Sequence, residues 1–404
     1  MIHNKAFTEF VSLHKQDDIQ RLLFSADKYP GIDVRLAVRF ISARKKIVKK
    51  VPSWSQSEGL IFSDILATEQ CSSELTADYK KRFVKNGIVL DLTGGLGVDS
   101  FFMSKNATHL YYFDKNKELS ESADQNFKYL GVDNITVTNC EITVDNIDKL
   151  DIPRSDLIYL DPARRDNNKN PVYALTECQP NLFELKDSLL SLSGIILVKV
   201  SPMVDILATI RLIPEISEIH ILSVNNECKE LLFLLDRNYP DLLSGINNIN
   251  IYTVNFCNNG HIENFDFKMG DENNCLSEFA DTELSTFLYE PNSSILKAGA
   301  FKILGKSFGL KKLQKNTHLY ISENQLESFP GRCFEIKEVF DFNKATIKLL
   351  RTKFPKANIS TRNFPLSPEE LKKILRIQDG GDIYIFGCIV SNGFKKILVC
   401  TKVN

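Results

Sequence analysis

The sequence has no CxxC pair among its nine cysteines and no HExxH or similar ligand spacing among its six histidines. Those absences argue against bound metal and against a disulfide framework. No run of about 18 apolar residues occurs, so no membrane-crossing helix is expected. The first residues, Met1 to Thr8, lack a basic segment followed by an apolar one, and the chain is expected in the cytoplasm. Charge of one sign is lacking too. With 50 Lys and Arg against 51 Asp and Glu the net charge is −1, so any affinity for a polyanion must come from local basic faces. There is no internal repeat and no low-complexity tract. A composition of 43% hydrophobic and 25% charged residues over 404 positions is that of a globular protein with two or three domains.

Phe7, Phe10, Val11 and Leu13, and then Val34, Leu36, Ala37, Phe40 and Ile41, recur at helical spacing on either side of a break at Pro30-Gly31. Residues 1–85 are therefore expected to form a helical domain. Its second helix carries Arg35, Arg39, Arg44, Lys45, Lys46, Lys49 and Lys50, which suit either a phosphate clamp or a solvated polar face. From residue 88 the pattern changes to short apolar strands (88–92, 110–113, 135–138, 157–160, 195–200) alternating with helical segments. That is the mark of a doubly wound, Rossmann-like α/β domain, placed at 86–258. Strands at 219–224 and 231–235, joined through Asn225-Asn226, read as a closing antiparallel pair, with 251–256 a candidate for the same edge. The stretch 257–283 has weak periodicity and many turn formers, and reads as a boundary. After a small segment to residue 333, the pattern over 334–404 is β-α-β-α-β-β, a small α+β domain.

The chemistry concentrates in Val89-Leu90-Asp91-Leu92-Thr93-Gly94-Gly95-Leu96-Gly97-Val98-Asp99, a buried strand entering a glycine-rich turn and a helix. Glycine suits a turn that visits positive φ and lets a cofactor approach the backbone. Asp91, Thr93, Gly94, Gly95, Gly97 and Asp99 are thus cofactor-binding candidates, and the turn alone fits either a nicotinamide cofactor or S-adenosylmethionine. Asp114, ending the next strand, stands where a carboxylate takes ribose hydroxyls, although an acid there also caps helices. Glu141, after the third strand, is placed to take the adenine amino group, or is an ordinary loop residue. The fourth strand runs into Asp161-Pro162-Ala163-Arg164-Arg165-Asp166. Its Asp-Pro sets a rigid turn and a carboxylate at the sheet edge that holds ligands, and a nicotinamide dehydrogenase has no reason for it. Gln70, Ser72 and Ser73 precede the core, either beside the cofactor's methionyl end or as a helix cap. Lys199 and Ser201 end a strand on the same edge as Asp161 and are candidates for the acceptor pocket.

In these motifs the sequence resembles the class I S-adenosylmethionine-dependent methyltransferases, whose first motif reads acid-x-Gly-x-Gly-x-Gly and whose fourth begins Asp-Pro. Asp91, Gly95 and Gly97 match; Thr93 stands where the first glycine would be. More narrowly, the chain resembles the class I methyltransferases with a C-terminal THUMP-like domain. The stretches that carry this are Glu69-Gln70-Cys71-Ser72-Ser73-Glu74, residues 91–99, residues 161–166, Lys199-Val200-Ser201-Pro202, residues 226–230, Tyr289-Glu290-Pro291-Asn292 with Lys297-Ala298-Gly299, and Asn363-Phe364-Pro365 with Gly380-Gly381. The resemblance implies S-adenosylmethionine as cofactor, a helical N-terminal part, a ferredoxin-like segment within 259–333, and a THUMP-like end. Because THUMP domains proper bind RNA in RNA-modifying enzymes, it also implies an RNA partner, tRNA or rRNA.

Asp161, Pro162 and Arg164 are the catalytic candidates, with Asp161 orienting the acceptor or taking its proton. Enzymes acting on base amines resemble Asp/Asn-Pro-Pro-aromatic there, and this chain lacks both the second proline and the aromatic. Arg164 and Arg165 suit phosphate binding or stacking, or pair with Asp161 or Asp166. Cys228 is either a nucleophile for ring-carbon methylation or a structural thiol. Near the C-terminus, Lys344, Lys348, Arg351, Lys353, Lys356, Arg362, Lys372, Lys373 and Arg376 form a basic stretch interleaved with Phe354 and Phe364. Of these Lys372, Lys373 and Arg376 are the RNA-binding candidates. The leading expectation is an RNA methyltransferase. Its alternatives are methylation of a protein or small molecule, a non-catalytic RNA-binding protein, and a nicotinamide-dependent oxidoreductase.

Overall fold

The computed structural model describes residues 5–57, 59–62, 64–149, 152–164, 178–239, 245–280, 284 and 286–403. The chain forms two units, Met1–Asp205 with Phe233–Tyr239, and Ile206–Leu232 with Pro240–Asn404.

The first unit begins with helices α1 (Lys5–Leu13), α2 (Ile19–Phe24), α3 (Val34–Lys50), α4 (Ile65–Gln70) and α5 (Glu74–Lys80). Asp18, Asp33, Asp64 and Ser73 start α2 to α5 by accepting a backbone N–H of the first turn, which satisfies donors a helix leaves open. The apolar stripe of α3 is divided along its length. Val34, Ala37, Val38, Phe40 and Ile41 pack on Phe7, Phe10 and Leu22, while Ala43 and Ile47 join Trp54, Phe62, Leu96, Val98 and Phe102. Helix α3 therefore fastens the N-terminal helices to the domain that follows. Its basic residues bond within the helical part itself: Arg44 donates to the Ser57 carbonyl (2.9 Å), Lys45 to that of Asp17 (2.9 Å), Lys50 to that of Cys71 (2.9 Å), and Lys46 pairs with Glu69.

The sequence next alternates β1 (Ile88–Asp91), α6 (Val98–Ser104), β2 (His109–Asp114), α7 (Lys117–Tyr129), β3 (Ile135–Asn139), β4 (Leu157–Leu160), the short pair β5 (Ala163–Arg164) and β6 (Cys178–Gln179), α8 (Leu182–Leu192) and β7 (Ile195–Val200). Strands β3, β2, β1, β4 and β7 lie side by side in that order, all parallel. The expected doubly wound α/β core is present. All of β4 and most of β1 and β7 are buried, as a sheet covered on both faces requires. Strand order reverses between β1 and β4, so their C-terminal ends, at Asp91 and just before Asp161, flank the crevice where such sheets hold ligands.

The second unit contains α9 (Ile206–Leu212), β8 (Ile216–Val224), the first part of β9 (Glu227–Asp236), β10 (Asn250–Phe256) and β11 (Ile262–Lys268). Strands β8 and β9 are neighbours, as expected, and β10 pairs parallel with β8. Asn225 and Asn226 sit at φ 53° and 63°, the left-handed pair that a two-residue hairpin turn demands. The 257–283 stretch, read as a boundary, holds β11, antiparallel to β10, and α10 (Met269–Asn274). An edge strand with only Phe265 and Phe267 in alternation gives little period-2 signal. A second sheet follows, built from β12 (Phe287–Pro291), α11 (Ser293–Ala298), α12 (Ile303–Phe308), β13 (Lys311–Gln314), β14 (Thr317–Ser322) and β15 (Gly331–Asp341). It continues with α13 (Lys344–Lys353), β16 (Asn358–Arg362), α14 (Pro368–Leu375), β17 (Ile383–Ile389) and β18 (Lys395–Lys402). The last six elements reproduce the expected β-α-β-α-β-β order. Among the described residues no helix is long and apolar enough to cross a membrane.

Because Asn225 is exposed and its turn conformation penalises a Cβ-branched residue, Asn225→Val should lower stability by about 1–2 kcal/mol. Asn225→Gly should be nearly neutral; denaturant midpoints of the two variants test this.

Candidate active site

Beyond β1 the chain turns through Thr93-Gly94-Gly95-Leu96-Gly97 into α6. Gly95 (φ 55°) and Gly97 (φ 78°) adopt the left-handed conformation. At Gly97 an added Cβ would lie 2.5 Å from the Phe127 ring, so this glycine permits packing; at Gly95 it would meet nothing closer than the Thr93 carbonyl at 3.9 Å. The space in front of Gly95 is open to a ligand. The turn is braced from three sides. Tyr112 donates its hydroxyl to the Gly95 carbonyl (2.6 Å), Asp114 accepts the Gly95 N–H (2.8 Å), and the Thr93 hydroxyl accepts the N–H of Asp161 (2.6 Å). Asp114 is partly exposed at the end of β2, and also accepts the Asn116 N–H at 2.7 Å. The helix cap that the sequence left open falls to Asn116, which accepts the N–H groups of Glu118 and Leu119. Thr93, in place of a glycine, ties the glycine turn to the end of β4.

Two acids in the glycine motif lie deeper than expected. Asp91 is 0% exposed and accepts the Thr93 N–H (3.0 Å) and the Ser100 hydroxyl (2.5 Å). Burial pushes its carboxyl up to about 7 against these bonds. Asp99, expected among the cofactor contacts, is buried at the start of α6. Its carboxylate accepts from the hydroxyls of Ser72 (2.8 Å) and Tyr159 (2.7 Å) and the ammonium of Lys80 (3.0 Å). Burial alone would raise it, but Lys80, Lys199 and these bonds hold it below the ordinary carboxylate range. The Lys80 side chain is 0% exposed.

Ser72 is the hub. Its hydroxyl donates to Asp99 and accepts from Lys80 (2.9 Å) and from Lys199 (3.3 Å), filling its one donor and two acceptor places. Lys199, at the end of β7 and 11% exposed in its side chain, donates also to the Asp161 carboxylate at 2.5 Å. Asp161 is the outermost of the set, with 36% of its side chain exposed. A chain of charges thus runs from the interior pair Lys80–Asp99 through Ser72 to Lys199 and Asp161, at the sheet edge beside the glycine turn.

The structure therefore brings Ser72, Asp91, Thr93, Gly94, Gly95, Gly97, Asp114, Asp161 and Lys199 to one edge of the parallel sheet. Pro162 follows there, half-buried. Gln70 is exposed at the end of α4, and Glu141 is exposed with Lys115 at 3.3 Å from its carboxylate. Ser201 accepts the Met203 N–H at 3.3 Å. Arg165 lies outside the described residues, and Arg164 is placed by its backbone in β5. Lys372, Lys373 and Arg376 belong to the second unit, where Lys372 is paired with Asp379. Cys228 is there too; burial pushes its thiol up to about 11, which opposes the thiolate a nucleophile needs. Among the described residues no three His, Cys, Asp or Glu gather as metal ligands would. Sequence reasoning missed Lys80 and Tyr159. A lysine three residues after Ala77 on a helix reads as solvated, and only the depth of its partner Asp99 shows otherwise.

Removing one member of the interior ion pair leaves the other charge buried. Lys80→Met should cost about 3–5 kcal/mol of unfolding free energy at pH 7, and Asp99→Asn added to it should recover part of that loss. Asp91 has the opposite sign. Its folded carboxyl holds a proton up to about pH 7 whereas the unfolded one ionises near 4, so it lowers stability as pH rises between them. Asp91→Asn should flatten the pH dependence of the unfolding midpoint over that window.

A ferredoxin-like domain model matches residues 287–330 and a THUMP domain-like model matches residues 331–402. No curated protein matches the chain. A crystal structure of a Porphyromonas gingivalis W83 protein, provisionally named a methyltransferase, is 32% identical, covers 99% of this chain and 98% of its own, and superposes with a TM-score of 0.89. An rRNA methylase from Streptococcus thermophilus is 15% identical over 40% of this chain and 94% of its own, with a TM-score of 0.30. A Streptococcus mutans protein, also provisionally named a methyltransferase and in complex with SAH, is 16% identical over 40% of this chain and 96% of its own, with a TM-score of 0.30. Likenesses as low as these last two carry no argument about this chain. Matched end to end with the Porphyromonas protein, the chain belongs to the same family, that of class I methyltransferase-fold proteins ending in a ferredoxin-like and a THUMP-like domain.

Proposed function

We propose that this protein transfers a methyl group from S-adenosylmethionine to RNA. The observation that carries the reading is the pairing of the open glycine turn with Asp114 on one side and Asp161 on the other, all at the strand-order reversal. An added Cβ at Gly95 would fill the space a ligand needs, and nothing of the protein does. The turn would hold the cofactor through its backbone, and Asp114 has carboxylate lone pairs left for ribose hydroxyls. When bound, S-adenosylmethionine supplies an electrophilic methyl group on a sulfonium. The protein's own residues fix the acceptor: Asp161 is anchored by its N–H to Thr93 and by its carboxylate to Lys199, so its position is set before an acceptor arrives.

RNA is supported by the C-terminal helices. Lys344, Lys348 and Arg351, spaced along one face of α13, and Lys373 and Arg376 at the end of α14 are exposed, and α13 packs on α14 through Arg351 bonding the Ile374 carbonyl (2.9 Å). Such a basic face suits phosphates read without sequence preference. It is smaller than the sequence suggested, since Lys353 pairs with Glu338 and Lys372 with Asp379. The N-terminal basic helix adds less as well, because Arg44, Lys45, Lys46 and Lys50 are engaged within the protein.

Radiolabelled methyl should pass from S-adenosylmethionine to RNA of cells lacking the gene; label confined to protein or small molecules refutes the proposal. Asp114→Ala should weaken cofactor binding by calorimetry without unfolding the protein. Asp161→Ala should abolish transfer while cofactor affinity persists. Replacing Lys348, Lys373 and Arg376 by Ala should reduce the slope of log affinity against log salt by about 2, and an unchanged slope removes that face from the interface.

A further inference from the structure

Resting on the reading above, we infer that the second unit carries a site for a phosphate of the RNA backbone, formed by Arg332 and Arg362 on the carboxylate of Glu290. The sheet that holds them has the strand order β13-β14-β12-β15-β18-β17-β16, with Glu290 on β12, Arg332 on its neighbour β15 and Arg362 at the end of the edge strand β16. Register accounts for Arg332, which stands directly opposite Glu290. The residue before it has to be glycine, because a Cβ at Gly331 would run into the Glu290 carbonyl. Curvature accounts for Arg362. The end of β16 closes back on β13 and β14, where the Asn363 amide donates to Gln314 Oε1 and Thr317 Oγ1, both at 3.2 Å. Glu290 belongs to the ferredoxin-like stretch and both arginines to the THUMP-like one, so the seam between the two domains brings the three together.

The balance of charges and donors leaves these arginines able to take an anion. One Glu290 oxygen accepts from Arg332 Nε (2.8 Å) and Nη2, the other from Arg362 Nη2 (2.6 Å). Among the described residues Glu290 is the one carboxylate paired with either guanidinium, so one positive charge of the two stays unbalanced. Its side chain is 2% exposed and each arginine side chain 35%, which sets the carboxylate behind and the cations toward solvent. A guanidinium has five N–H donors: Arg332 spends two on Glu290, and Arg362 spends one there and one on the Thr361 carbonyl at 2.9 Å. The carboxylate thus holds two planar forks near one another with donors to spare, and the acceptor oxygens of a phosphate match such forks. Beyond them Lys312 adds a cation and Glu272, which faces Lys312 and accepts the N–H groups of Lys302 and Ile303, adds an acid. Three cations therefore face two carboxylates, and the surplus equals the charge of one phosphodiester. The positive field registers on His318, whose imidazole is pushed down to about 4 by burial and then by Lys312 and Arg362.

Inorganic phosphate is titrated into the isotope-labelled full-length protein at constant ionic strength. The Arg332 and Arg362 Nε–H signals, identified by their loss in Arg332→Lys and Arg362→Lys, are followed by NMR. Saturating shifts support the site, and shifts no larger than those with chloride overturn it. RNA binding is the second arm. Glu290→Gln, Arg332→Gln and Arg362→Gln combined remove the surplus charge without leaving an unpaired one. They should lower RNA affinity about fivefold and reduce the slope of log affinity against log salt by about 0.7. An unchanged slope, with phosphate still bound by the parent, overturns the RNA assignment and marks the site as one for free phosphate. Where the combined variant fails to fold, Glu290→Gln alone decides. It releases both guanidiniums and should raise phosphate affinity about threefold or more, whereas a triad that only holds the sheet together predicts a lower melting temperature with no gain. No gain overturns the site. Methyl transfer is measured separately, so the two failures stay apart: label confined to protein or small molecules refutes the reading on which the RNA assignment rests, while an unchanged RNA slope refutes the assignment alone.

Discussion

The Ser72 hydroxyl is the point on which the site depends. One oxygen receives two ammonium groups and gives its proton to a buried carboxylate, and this joins three regions distant in sequence: the α4–α5 connection, the first turn of α6 and the end of β7. Two carboxylates accompany the two lysines and offset part of the cost of burying them. The interior pair of Lys80 and Asp99 supplies no chemistry of its own, yet it fixes the direction in which Lys199 points. Preorganisation of this kind lets a reaction proceed without waiting for solvent or side chains to rearrange.

The helical N-terminal part takes its meaning from the same arrangement. It contributes Ser72 and Lys80 directly, and α3 holds it to the α/β core through an apolar stripe, while its basic side chains bond carbonyls within the helical part itself. Those bonds explain why a strongly basic helix need not be a binding surface. Long cationic side chains spend their donors on chain ends that helices and loops leave open.

The glycine turn, the strand-end acids and the α+β end were legible in the sequence because each depends on local pattern: positive φ, alternation between strand and helix, and turn chemistry. Asn225-Asn226 is an example, two residues that declare a hairpin. The depth of Asp91 and Asp99 was not legible. Both sit in a motif that along the chain reads as one continuous cofactor-binding stretch, and which face of α6 carries Asp99 depends on Tyr159 and Lys80, neither of which is near it in sequence. Exposed cations were overcounted for a similar reason. Lys353 and Lys372 look isolated along the chain, and their acidic partners are Glu338 on β15 and Asp379 after α14.

Thr93 carries a consequence for motion. A glycine at that position would leave the turn beyond β1 and the Asp161 turn independent, each free to fluctuate in its own loop. The threonine hydroxyl latches one to the other through the Asp161 N–H, so a displacement of either turn is resisted by the other. A ligand seated against Gly95 would thereby restrain the Asp161 turn as well.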